Sequence, residues 1–283
     1  MTATDPSPET VSDWSRDFDI LDEGYVTDPA WVWNLLRDAC PVAHTDRRGS
    51  TWLPVSFEDL QAIAHDTDRF SSRDIAVITP YRDQDPTRVI SLIAPPITSD
   101  PPEHTSARRL LLPRFGPSTI DEMTPITRDA ANRLIDGFLD AGAADAALDY
   151  AQHIPVRVIA TMLGLPPEDE ATFTDWAVRL LQQGFQNIES ATGAISELIT
   201  YFIDKIAERE ALAADRRPDD LLTFVVEAEL DGEPLSGRHR VGICFLLLIA
   251  GIDTTWSAIS SSLWHLATHP EDQARLRAEP DLM

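Results

Sequence analysis

Two short stretches of this sequence combine side chains that could do chemistry. The first is Ala250-Gly251-Ile252-Asp253-Thr254-Thr255. An acid and a hydroxyl side by side can pass protons, the usual work of general acid–base catalysis. The second is Asp100-Pro101-Pro102-Glu103-His104-Thr105, running on to Arg108. His104 and Arg108 are four residues apart, which places both on one face of a helix. Both side chains donate hydrogen bonds, and the planar guanidinium matches a carboxylate in a bidentate way. The pair therefore suits the carboxylates of a ligand.

The elements that must carry these residues are helices. Val241, Cys244, Phe245, Leu248, Ile252, Thr255 and Ile259 recur at helical spacing. Apolar residues also fill the other faces between 243 and 250, so the pattern predicts a helix buried all round. Within it, Gly251 costs about 1 kcal/mol against alanine. A buried carboxylate at Asp253 is costly unless paired. Two adjacent β-branched threonines weaken the helix further. The Thr254 hydroxyl is expected to bond back to the Ala250 carbonyl. Such local conflict marks a functional position. Small residues at 250 and 251 would let something large and flat approach the backbone.

The other segment begins with helix-start signals. Asp100 is read as the N-cap, Pro101 as the first helical residue and Glu103 as the capping-box partner.

Around these stretches the pattern predicts a mainly α fold with a small β element near the start. A helix is expected from Asp28-Pro29 to Cys40, with Trp31, Leu35 and Leu36 on one face. Residues 42–44 and 51–55 flank Arg47-Arg48-Gly49-Ser50 as a short hairpin, and a helix follows from Phe57 to Ala64. Residues 73–99 read as a long loop. Beyond Asp100 the chain is almost continuously helical, with proline or glycine breaks.

Composition narrows the function. Hydrophobic residues at 43% and charged residues at 25% match a globular protein with a sizeable core. The formal charge of -24 argues against nucleic acid and against anionic membrane surfaces. The apolar run from Ile243 to Ile252 is read as too short to cross a bilayer of ~30 Å. A cytoplasmic protein is expected. The two cysteines, Cys40 and Cys244, read as core residues, not as a disulfide framework or a zinc pair. His265 and His269 share metal-ligand spacing but sit on an ordinary helical exit.

The string D-P-P-x-H-T-x-x-R-R-L, with x-x-F-x-P after it, resembles the C-helix region of bacterial cytochromes P450. A-G-x-D-T-T closing an apolar helix resembles their I-helix motif, and His269-Pro270 opens a tail similar to the family's exit from that helix. The resemblance covers about residue 15 to the end. It implies haem b as cofactor, with His104 and Arg108 on the propionates. It places Ala250 and Gly251 over the haem face, with Asp253 and Thr254 serving the protonation step of oxygen activation. It implies a monooxygenase acting on a small hydrophobic molecule. Residues 73–99, the region around Leu180 to Ile188 and Leu246 to Ala250 would line the substrate pocket. Electrons would come from a ferredoxin or flavodoxin-like partner, for which Arg109 and Arg114 are the candidate contacts.

In domain terms, residues 1–15 are expected to be a loose arm and 16–283 a partial domain of this family. The family's Glu-x-x-Arg helix and haem-cysteine loop are not found before Met283, so no metal ligand is assigned and the chain is expected to be a fragment. The alternative reading is a non-catalytic relative that binds or activates a partner protein. Such a helper has no need of the acid-threonine pair.

Overall fold

The computed structural model describes residues 10–47, 50–73, 93–184, 186–230 and 232–282. The chain divides into two compact units, residues 1–91 and 92–283.

In the first unit, α1 (Glu23–Thr27) and α2 (Pro29–Ala39) precede an antiparallel hairpin, β1 (Val42–Thr45) and β2 (Thr51–Pro54), and α3 (Phe57–His65). Asp28 caps α2 by accepting from the Trp31 N–H at 2.9 Å, and Ser56 caps α3 from Asp59 at 3.0 Å. The hairpin pairs Val42 with Pro54 and His44 with Trp52. Arg48 and Gly49 of its expected turn lie outside the described residues. The expected face of α2 is divided: Leu36 is buried, together with Val32, whereas Trp31 and Leu35 are exposed. Val32 and Leu36 lie one helical turn apart and meet Val11, Trp14, Phe18, Ala43 and Val55 in the unit's core. That core also shortens the expected arm. Residues 1–9 lie outside the described ones, but Val11 and Trp14 are already packed. Two apolar side chains provide enough area to anchor the backbone there.

The second unit is helical. It contains α4 (Glu103–Leu111), α5 (Pro117–Leu139), α6 (His153–Leu163), α7 (Glu170–Ala177) and α8 (Ile188–Glu210). Then come α9 (Leu221–Glu227), the two-residue strands β3 (Glu229–Leu230) and β4 (Glu233–Pro234), α10 (Gly237–Thr268) and α11 (Pro270–Ala278). This second hairpin falls at one of the proline or glycine breaks that the pattern predicts. α7 runs on into a wider π turn over Val178–Gln182. Of the expected loop, residues 74–92 lie outside the described ones, and residues 93–99 form turns.

α10 is the axis of the unit, packed on α6, α7, α8 and α9. Ser236 caps its start by accepting from the His239 N–H at 3.3 Å. Its 32 residues are long and apolar enough to cross a membrane, so the sequence estimate of its length was too short. The apolar residues are used in packing instead: Ile243, Cys244, Phe245, Leu248, Ile249 and Ile252 are buried. Across the interface, α6 buries Ile154, Val156, Ile159, Ala160 and Leu163, and ends at Gly164 with a left-handed φ of 67°.

Candidate functional site

α4 carries the first group. It begins at Glu103, not at Pro101, and Asp100 is not its N-cap. The start after Pro102 accords with the general rule that helical geometry is disfavoured for a residue before a proline. The Asp100 carbonyl still accepts from the His104 N–H at 2.9 Å, so the chain enters the helix directly. His104 is half-buried and Arg108 exposed, and with Thr105, Arg109, Leu112 and Pro113 they line one cleft. Among the described residues, the side chains of His104, Arg108 and Arg109 make no hydrogen bond or ion pair. Arg114 differs. It pairs with Asp219 at 3.2 Å and lies over the Phe224 ring at 4.4 Å, so it belongs to the fold more than to a free basic patch.

α10 carries the second group. The Thr254 hydroxyl donates to the Ala250 carbonyl at 2.9 Å, as the spacing predicts. The expectation of a helix buried on every side is corrected. Ala250, Thr254 and Thr255 are exposed, and Asp253 is half-buried. Burial stops on this side because α6 and its neighbours cover only the opposite one. Burial raises the Asp253 carboxyl above the ordinary range, and a hydrogen bond from the Gln182 side chain partly opposes this.

The two small residues have different reasons. Ala250 opens to the exposed side, whereas a Cβ on Gly251 would come within 3.0 Å of Ile159. Gly251 thus serves close packing of α10 on α6. Gly242 was not singled out by sequence, yet a Cβ there would lie 1.6 Å from the Ile93 carbonyl oxygen. Gln182 lies in the 180–188 region that the resemblance places at the pocket, but its bond to Asp253 is not foreseen. It stands on a π turn, which helical periodicity does not register.

Among the described residues, no hydrogen bond or ion pair joins His104 or Arg108 directly to Ala250–Thr254. A link exists at the starts of the two helices, where His239 Nε2 lies 3.5 Å from Glu103 Oε1.

The cysteines are unlike each other. Cys244 is fully buried in α10, and burial pushes its thiol up to about 12. Cys40 is half-exposed at the end of α2, donating to the Val42 carbonyl at 3.2 Å, and is not a core residue. Its place after the last helical turn leaves one side of the thiol open. His265 and His269 stack at 4.0 Å, and both are engaged locally, His265 with Asp272 at 2.9 Å.

The family model for cytochrome P450 matches residues 171–282, which include the Ala250–Thr254 turn. The chain belongs to the cytochrome P450 family. The P450 chain is 29% identical over 246 residues to cytochrome P450 CYP107DY1 of Priestia megaterium, covering 83% of itself and 59% of that relative. It is 30% identical over 234 residues to the mycinamicin IV hydroxylase/epoxidase of Micromonospora griseorubida, covering 82% of itself and 56% of that protein. In structure it matches CYP108D1 of Novosphingobium aromaticivorans with a TM-score of 0.76 at 28% identity, over 91% of itself and 64% of that chain. The P450 chain therefore spans about six-tenths of the length of these relatives.

Proposed function

We propose that this chain supplies the oxygen-facing side of a haem-dependent monooxygenase. The observation that carries the reading is a pair of donors, His104 and Arg108, free among the described residues and lining one cleft of α4. Haem carries two carboxylates on one edge, and an imidazole and a guanidinium one turn apart fit them. Ala250, small and exposed, fits the approach of a flat ring. Bound haem would supply the activation of O2.

The remaining work falls to the protein's own side chains. Thr254 holds its hydroxyl proton on the Ala250 carbonyl, so the proton has a defined place from which the hydroxyl can turn outward. Asp253 has a raised carboxyl range, which brings it nearer the working pH of a proton donor. The Gln182 side chain hydrogen-bonds that carboxyl group. The substrate class proposed is a small hydrophobic molecule, lying against Leu246 to Ala250 and the Leu180 region. The hydroxylase/epoxidase among the relatives supports oxygen insertion as the reaction class. A ferredoxin or flavodoxin-like protein is proposed as the electron donor, and the cytoplasm as the compartment.

Thr254→Ala tests the reading in the protein supplied with haem, O2 and reductant. Loss of one proton-delivering group is expected to lower product formed per electron consumed by about 100-fold. Electron consumption should continue. An unchanged ratio of product to electrons contradicts the assigned role.

A further inference from the structure

The link between α4 and α10 has a simple construction. Glu103 is the first residue of α4, immediately before His104. His239 lies in the first turn of α10, its ring Nδ1 2.9 Å from Ser236 Oγ and its Nε2 3.5 Å from Glu103 Oε1. Ser236 thus holds both the backbone and the ring of His239. The imidazole is fixed at one edge and faces a carboxylate at the other. Both partners are half-buried, with 29% and 38% of their side chains exposed, so solvent screens the contact only partly.

The surrounding charges leave this pair in place. Arg240 is taken up by Glu210 of α8. Arg238 has a partner of its own. Glu229 and Glu233 stand on the β3–β4 hairpin, whose first strand packs on α4.

We propose that His239 is a positioning residue for α4: its contact with Glu103 fixes the first turn of the helix that presents His104 and Arg108 to a carboxylate ligand. The inference rests on the reading of α4 as the haem-carboxylate helix. The imidazole edge and the Glu103 carboxylate face each other across the two helix starts, so loss of either side chain frees the first turn of α4.

The test is haem loss to excess apo-globin at one fixed pH, with thermal unfolding of the haem-free protein beside it. His239→Gln should speed haem loss about two- to five-fold, the range of a partly screened polar contact. Glu103→Gln should do the same, and the double variant should add nothing further. His239→Lys keeps a donor facing Glu103, so its loss should stay close to that of the unaltered chain. A purely structural role for His239 would lower the unfolding midpoint in every variant and give no rescue by lysine. Unchanged haem loss in His239→Gln overturns the inference while leaving the reading of α4 intact. If His104→Ala with Arg108→Ala leaves haem loss unchanged, or if the protein holds no haem, the reading of α4 falls and takes this inference with it.

Discussion

The two candidate groups differ in how their polar atoms are used. On α4, His104 and Arg108 are without partners among the described residues and open onto a cleft. On α10, the polar groups are occupied within the protein: Thr254 on Ala250, Asp253 with Gln182. One group is arranged to accept a ligand as it stands. The other must release a bond before it can act. A helix that binds charge needs free donors, whereas a residue that moves protons benefits from a defined resting place for each proton. The glycines sharpen this contrast. Gly251 looks like part of the chemistry when read on α10 alone, but its neighbour is Ile159, and Gly242, which the pattern does not mark, lies against the Ile93 carbonyl.

The largest expected effect comes from treating Gly242 as a packing residue. Gly242→Ala must push the 93–94 backbone off α10, at a cost of about 3 kcal/mol or more. Denaturant unfolding would measure it, and a cost below about 1 kcal/mol would remove the close approach from the account. Next is the α4 pair. His104→Ala and Arg108→Ala should each weaken haem binding by about ten- to a hundred-fold, the worth of a charge-assisted hydrogen bond. Thermal unfolding of the haem-free protein should hardly change, since neither side chain supports the fold. Arg108→Lys should lose less than Arg108→Ala but should not restore full affinity, because the ammonium cannot bind in a bidentate way.

The smallest effect concerns Asp253. Its raised range means the ionised form is disfavoured in the folded chain. That penalty is absent at low pH, where folded and unfolded chains are both protonated, and grows as pH rises through the raised value. Asp253→Asn should therefore raise the unfolding midpoint slightly at pH 7, by about 1 °C given its partial exposure. The gain should vanish toward about pH 3. A constant gain at every pH would assign the effect to something other than ionisation.

Much of this was legible in the sequence where short-range rules apply. The Thr254–Ala250 bond follows from four-residue spacing, and so does the shared face of His104 and Arg108. The hairpin of β1 and β2 followed from its alternation and turn residues. Long-range partners were not legible. Nothing local marks Gln182 as the neighbour of Asp253, or Ile93 as the reason for Gly242. The Asp100 cap failed because two prolines in a row weigh against helical geometry at the first of them. On α2, Trp31 and Leu35 are as apolar as the residues that are buried, so local composition does not say which of them turn inward. The partners that set the buried side, Val11, Trp14, Phe18, Ala43 and Val55, are all outside the helix.

The most direct test of the central contrast compares haem with its dimethyl ester, which keeps the ring and removes both carboxylates. The account predicts that the unaltered protein prefers haem strongly and that His104→Ala with Arg108→Ala abolishes the preference, leaving ester binding unchanged. A preference for haem that survives the double replacement would contradict the assignment of α4 as the helix that holds its carboxylates.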